Sequence, residues 1–259
     1  MDSMTDTPVP ESLWPGTVLR SELTLPTPSE NLALDEAILH HVDQSPDAGA
    51  YLRLWQPSTY FVVLGRSNNV ATEVDVDHCA AAGIPILRRA SGGGTVLVGP
   101  GCLCYSLVLP LNPLLRTLGV SGVTSELMER TAKGLRSMNP EIEVRGTSDL
   151  VCGGLKFSGN AQRWLRNAFI HHGTLLHDFD LALLERCLRH PSREPDYRQA
   201  RRHPDFVGNL NARLEDLKRC VSDAWCAIDG PIPPEIVGDV QRIVDTRSQH
   251  VDWNIAPPM

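Results

Sequence analysis

The segment Arg88-Arg89-Ala90-Ser91-Gly92-Gly93-Gly94-Thr95-Val96 constrains this chain most. Consecutive glycines let the backbone approach a ligand closely and take φ values that other residues avoid. Apolar runs flank the segment, Ile84 to Leu87 before it and Cys102 to Leu109 after it, so a turn between two strands is expected. Successive backbone N–H groups in such a turn form a concavity that holds anions. The two arginines that lead into it add forked positive charge suited to carboxylate and phosphate. A glycine-rich hairpin with a solvated arginine pair has the same composition, so this segment needs company to be decisive.

Two further blocks supply it. Asp149 to Gln162 reads as a hairpin in which Gly153-Gly154 forms a primed two-residue turn, and Lys156 leaves that turn on the returning strand. Ile170 to Leu176 reads as another strand with polar residues at its start. In this order the three blocks resemble the lipoate–protein ligase family, within the larger group of biotin and lipoate ligases. In that family an Arg-Arg-x-Ser-Gly-Gly-Gly turn, an Asp-Leu before a hairpin, a Lys-x-Ser-Gly motif and a His-Gly-Thr-Leu-Leu strand surround the acyl-adenylate. Here they stand as Arg88 to Gly94, Asp149-Leu150, Lys156 to Gly159 and His172 to Leu176. Asn31 to Ala37 is similar to the family's first helix. Leu54-Trp55-Gln56-Pro57 and Val62 to Asn69 resemble the strand and turn that line the acyl tunnel. The resemblance runs well over residues 25 to 180 and loosely beyond.

Length and composition agree. A chain of 259 residues can bury a substantial core. Its 42% hydrophobic and 21% charged residues are those of an ordinary globular protein. No apolar run approaches the roughly 20 residues of a membrane helix. The start, Met1 to Pro10, lacks the basic and apolar regions of a secretory signal. Seven cysteines lack paired metal-ligand spacing, with Cys79, Cys187, Cys220 and Cys226 reading as small apolar fillers. The expected setting is a reducing one, the cytoplasm, with no membrane and no metal bound by the chain's own side chains. A formal net charge of -7 argues against nucleic acid as the main partner.

Along the chain, residues 1–24 read as an N-terminal arm, partly ordered where Trp14 and Leu19 find the core, and residues 25–259 as one catalytic domain. Helical spacing is expected over residues 31 to 42, Asp75 to Gly83, Thr124 to Met138 and Leu181 to Leu188. Asn112-Pro113 reads as a break. Pro191 to Pro204 reads as a basic surface loop, or as a mobile element carrying Arg193, Arg198, Arg201, Arg202 and His203 towards phosphate or an acidic partner. Asn209 reads as the cap of a helix from Leu210 through Trp225, and Val251 to Met259 as a tail. Strands and helices intermingle with several hairpins, so the class is α+β, with a mixed, largely antiparallel central sheet and flanking helices. The resemblance implies the class II synthetase-like catalytic domain of biotin and lipoate ligases.

What the resemblance implies for the site is specific. Lys156 is the catalytic lysine, bringing the acyl carboxylate and the α-phosphate of ATP together and stabilising charge in the transition state. Arg89, Ser91, Gly92, Gly93, Gly94, Thr95, Val96 and Leu97 bind substrate and adenylate, together with Asp149, Ser158, Gly159, His172, Gly173 and Thr174. Gly65, Arg66, Ser67 and Asn69 shape the mouth of the acyl pocket. The implied reaction is ATP-dependent activation of lipoate to lipoyl-AMP, with Mg²⁺, then transfer to a lysine of a lipoyl carrier domain. Candidate carriers are the E2 chains of 2-oxoacid dehydrogenases and the glycine cleavage H protein, with octanoate as an alternative acid.

The chain also departs from the family. Many members carry a His-Asp pair soon after the glycine turn, where this chain has Leu97-Val98-Gly99-Pro100-Gly101. After Ala227 about thirty residues remain, too few for the accessory domain of two-part ligases, so a separate accessory chain, or residues 191 to 204 acting as a lid, is an open expectation. The alternatives are an octanoyl- or lipoyltransferase, working from acyl carrier protein or preformed lipoyl-adenylate, and a non-catalytic acyl or adenylate sensor. One transferase branch places its nucleophilic cysteine near Val144 to Ser148, and no cysteine stands there.

Overall fold

The computed structural model describes residues 16–249 and residue 254, so Trp14 and all of the expected C-terminal tail except Asn254 lie outside the described residues. In chain order the strands are β1 (Val18–Ser21), β2 (Ala50–Trp55), β3 (Phe61–Leu64), β4 (Ile86–Arg88), β5 (Val96–Val98), β6 (Cys102–Pro110), β7 (Glu143–Arg145), β8 (Asp149–Cys152), β9 (Leu155–Trp164), β10 (Ala168–Leu176) and β11 (Ile228–Asp229). The helices are α1 (Pro28–Gln44), α2 (Val70–Glu73), α3 (Val76–Ala81), α4 (Pro113–Leu135), α5 (Leu181–Cys187), α6 (His203–Phe206), α7 (Leu214–Ala224) and α8 (Pro234–Gln249).

An eight-stranded sheet runs in the order β11-β1-β2-β6-β10-β9-β8-β7, and β4-β3-β5 form a small second sheet. The large sheet is parallel at its β11–β1 and β1–β2 junctions and antiparallel at the others. This is the expected α+β class with a mixed, largely antiparallel sheet. The turn-forming glycines explain the hairpin. Gly153 and Gly154 have φ of 57° and 80°, the left-handed pair that a primed turn between β8 and β9 requires.

The alternation of side chains along the two central strands divides the core. On β6, Leu103, Tyr105, Leu107 and Leu109 join a cluster with Leu127, Met128 and Leu135 of α4 and Leu217 and Val221 of α7. Val108 of β6 and Ile170 of β10 point the other way, to Leu34, Ile38 and Val42 of α1 and Ile236 and Val240 of α8. A third cluster joins the small sheet to α5 through Phe61, Val62, Leu64, Leu184 and Leu188. The same alternation puts neighbouring histidines on opposite faces. His171 lies beside Tyr105, and His172 faces Asp35 of α1.

Several local expectations are corrected. Asn112-Pro113 does not break the chain; Asn112 caps α4, its Oδ1 accepting from Leu115 N–H at 2.8 Å, and Pro113 opens the first turn. The helix therefore begins eleven residues before Thr124, with an interruption at Gly119 (φ 64°) that hides its first turns from a periodicity count. Asn209 caps no helix. Its side chain pins Phe179, accepting from that residue's N–H at 2.9 Å and donating to its carbonyl at 3.0 Å, and α7 begins only at Leu214. Cys226 is exposed rather than an apolar filler. α8, which the sequence reading lacked, covers α1. From the expected arm, residues 18–21 form β1, and Leu19 packs against the α1 core as anticipated.

Candidate active site

The three blocks converge on one cavity of about 460 Å³, within the usual size range of a small-molecule site. Its two walls differ in chemistry. Phe61, Val63, Val96 and Val98 of the small sheet form an apolar wall with Leu32, Trp55, Leu176, Leu184 and Leu188. Asp149, Lys156, Ser158, Asn160, Arg193, Glu194, Arg198 and His203 make the other wall polar and charged.

At the polar wall, Lys156 Nζ lies 2.7 Å from Asp149 Oδ1. Strands β8 and β9 bring the two together across the hairpin, with a register shift at Leu150/Val151. Tyr197 donates its hydroxyl to Asp149 Oδ2 at 2.8 Å, and burial raises that phenol's pKa further above its ordinary value. A Cβ on Gly159 would stand 3.0 Å from Lys156 Nζ, so the glycine gives the lysine room. The Lys156 carbonyl accepts from Gly208 N–H at 3.0 Å, which fastens the segment after α6 to the hairpin.

The glycine turn is held from behind. Arg89 is buried and curls onto its own turn, Nη2 donating to the Gly94 carbonyl at 2.8 Å and to Gly92 O, and Nε to Ser91 Oγ at 3.0 Å. Burial lowers its pKa to about 10, which still leaves it charged at neutral pH. Arg88 donates to the carbonyls of Gly65 and Asn68, each at 2.8 Å. The Asn68 carboxamide bridges the turn, accepting from Thr95 Oγ1 at 3.0 Å and donating to Gly93 O at 3.1 Å when its nitrogen faces that carbonyl. Gly93, at φ 88°, has no space for a side chain, since a Cβ would meet Arg89 Nη2 at 2.9 Å. With two carbonyls of the turn drawn to Arg89, none of the N–H groups of Gly92, Gly93 and Gly94 has an acceptor among the described residues.

Most residues named from sequence meet here. Arg89, Gly93, Gly94, Thr95, Val96, Leu97, Asp149, Lys156, Ser158, Gly159, His172, Gly173 and Thr174 line the cavity. Ser91 borders a smaller pocket behind the turn, with Asp35 and His172. Gly65, Arg66, Ser67 and Asn69 do not line the cavity. Arg66 N–H donates to Ser91 O at 2.8 Å, and Asn69 caps α2 through Ala71 N–H at 2.9 Å, so this stretch braces the turn instead.

Residues 191 to 204 are no ordinary surface loop. Arg198 is buried, with its guanidinium 4.7 Å from the Phe206 ring centre, and its Nη2 has no hydrogen-bond partner among the described residues. Burial lowers its pKa, partly offset by Glu194. Glu73 of α2 ties the segment down by accepting from Ser192 N–H at 3.3 Å and from its hydroxyl. Asp35, Asn160, Tyr197 and Glu73 were absent from the sequence reading of the site. An acid among the apolar positions of α1, between Leu34 and Ile38, was the available signal for Asp35.

The mixed sheet thus sets a glycine turn and a hairpin lysine beside an apolar wall in one cavity. The chain belongs to the family described as the lipoyl protein ligase A/B catalytic domain, which it matches over residues 27–222. It is 29% identical to a lipoate–protein ligase A of Blochmanniella floridana over 191 residues, 72% of this chain and 51% of that protein. A lipoate–protein ligase of Bacillus subtilis is 28% identical over 192 residues, 73% of this chain and 54% of that protein. The chain thus spans about half the length of these curated relatives. In fold it is similar to a bipartite lipoate protein ligase from Thermoplasma acidophilum, with a TM-score of 0.78, 20% identity, and coverage of 95% of this chain and 98% of that one.

Proposed function

We propose that this chain is a lipoate–protein ligase: it activates lipoate, or a similar medium-chain acid, with ATP and passes the acyl group to a lysine of a lipoyl carrier domain. The observation that carries the reading is Lys156 Nζ, 2.7 Å from Asp149, in a cavity that the apolar residues of the small sheet also line. An acyl chain on the apolar wall would place its carboxylate by the lysine and the glycine turn. In the first step a carboxylate oxygen attacks the α-phosphate and pyrophosphate leaves. Lys156 bridges the two anions, and the turn's N–H groups donate hydrogen bonds to the developing charge. In the second step the carrier's ε-amine attacks the acyl carbonyl of the mixed anhydride and AMP leaves, with Lys156 again opposite the charge that forms. Arg198 and Arg193 are the cations available to the remaining phosphates.

Magnesium belongs to this proposal as a companion of the triphosphate. Among the described residues no group of three His, Cys, Asp or Glu side chains gathers to hold a metal. Such an ion is held through phosphates, water and one or two carboxylates, and Asp149 and Glu194 are carboxylates that line the cavity.

Acyl transfer through a cysteine is less well supported. Cys104 is the cysteine that lines the cavity, and its hydrogen bond with Cys102 together with burial pushes its thiol pKa well up, away from the nucleophilic thiolate. Cys152 is also raised, by burial and Glu141.

The deciding experiment is the intact mass of an apo lipoyl domain incubated with this chain. One reaction contains lipoate, ATP and Mg²⁺; another contains octanoyl-acyl carrier protein without ATP. Modification in the first reaction alone is expected. Modification in the second alone would replace the ligase by a transferase. Silence in both, relieved by preformed lipoyl-adenylate, would assign activation to a partner chain.

A further inference from the structure

We infer that Asp35 is a positioning residue: it fixes the proton of His172 on Nδ1 and thereby, through Ser91 and Arg89, holds the glycine turn in its anion-binding shape. The functional meaning of that shape rests on the ligase reading above, but the arrangement can be tested without it.

The hydrogen bonds leave little freedom. Ser91 Oγ lies 3.0 Å from Arg89 Nε and 2.6 Å from His172 Nε2. A guanidinium only donates, so the serine oxygen accepts there. Its single proton has no acceptor among the described residues other than His172 Nε2. With the hydroxyl donating there, Nε2 is bare and the imidazole proton sits on Nδ1; the reverse arrangement, with the serine accepting from Nε2, is what the test below excludes. Nδ1 faces Asp35 Oδ2 at 3.7 Å, longer than a hydrogen bond but close enough for the carboxylate's charge to favour a proton on that side. The carboxylate is itself held. Arg53 donates to Oδ1 at 2.7 Å and Ser106 to Oδ2 at 2.5 Å. Burial alone would raise the Asp35 pKa, but the Arg53 guanidinium and the Ser106 hydroxyl help to leave it below the usual carboxylate value.

The chain of contacts therefore runs from α1 through β10 into the turn. It ends on Arg89, whose Nη2 engages the Gly92 and Gly94 carbonyls. An Asp, a His and a Ser in this order also make hydrolytic triads. Here Ser91 Oγ is occupied by Arg89, and Ser91 borders the small pocket behind the turn rather than the main cavity. The group is a brace.

The test is NMR of the full chain labelled with ¹⁵N, with His172 assigned by difference from His172→Gln. Long-range proton–nitrogen couplings report which ring nitrogen is protonated. The expected result is a His172 proton on Nδ1 with none on Nε2. In Asp35→Asn, whose amide can donate towards Nδ1, the proton is expected to move to Nε2, and the amide signals of Gly92, Gly93 and Gly94 to shift. Should Asp35→Asn fail to fold because Arg53 loses its partner, Ser91→Ala carries the test: it keeps the Arg53–Asp35 pair, so His172 stays protonated on Nδ1 while the three glycine amides shift. A proton on Nε2 or on both nitrogens in the unaltered protein overturns the inference, as do glycine amides that stay in place in Ser91→Ala. The lipoylation assay reads the functional proposal separately, so failure of one is not mistaken for failure of the other.

Discussion

Lys156 and Asp149 give each other a resting partner that an incoming pair of anions must compete for. The lysine side chain is 26% exposed, and ion pairs so open to water contribute only about 0–1 kcal/mol to stability. Lys156→Ala should therefore unfold within about 1 kcal/mol of the unaltered chain in urea, while the carrier's mass stays unmodified even with lipoyl-adenylate supplied. An active Lys156→Ala protein would sink the proposed chemistry. His171, one residue from His172 but on the opposite face, makes a different prediction. Burial lowers its pKa to about 3, whereas in the unfolded chain it titrates near 6.5. The unfolded state thus binds a proton first as pH falls, so stability is complete above about pH 6.5 and drains away between there and about pH 3. In His171→Gln that part of the pH–stability curve should flatten, which urea titrations at stepped pH would show.

At the scale of elements, β10 shows what a small residue contributes. A Cβ on Gly173 would fall 1.8 Å from Asn160 Oδ1, the oxygen that accepts from Tyr105. Gly173→Ala should cost about 1–3 kcal/mol through this overlap, and Asn160→Ala should relieve part of the loss in the double variant. An additive double variant would show the overlap to be absent. The hairpin and β10 were legible in sequence because local signals decide them: two glycines suited to positive φ, then alternating apolar positions. Lys156, Asp149 and the glycine turn between β4 and β5 were legible as short motifs, through the family resemblance that those motifs carry. The start of α4 was not, because Asn112-Pro113 serves equally as a stop and as a cap, and Gly119 interrupts the periodicity that would tell them apart. Tyr197 reaches the site only through tertiary packing, so no local pattern marked its role; Arg198 stood out only as part of a basic segment, and Asp35 only as an acid among the apolar positions of α1. Asn209 likewise meets Phe179, thirty residues away. α8 was within reach, since Ile236, Val240 and Ile243 recur at helical spacing after prolines suited to a first turn.

For the whole molecule, the large sheet is covered by α4 and α7 on one face and by α1 and α8 on the other. Removing residues 234–259 should uncover Leu34, Ile38 and Val42 and strand Glu36 without Arg247. The expected outcome is a lower melting temperature and binding of an apolar dye; an unchanged melting temperature would mean that α8 is peripheral to the core. Among the described residues no helix is long and apolar enough to cross a membrane. The covering of α1 by α8, and the pairing of β1 with β11, join segments separated by about two hundred residues. During synthesis, the oily side of the first helix has no permanent cover until nearly all of the described chain has left the ribosome. Local hairpins such as β8–β9 can close early, but one face of the central sheet waits for the last helix. For that interval the nascent chain presents the kind of surface that chaperones hold, so its yield in a cell should depend on them more than the stability of the finished fold would suggest.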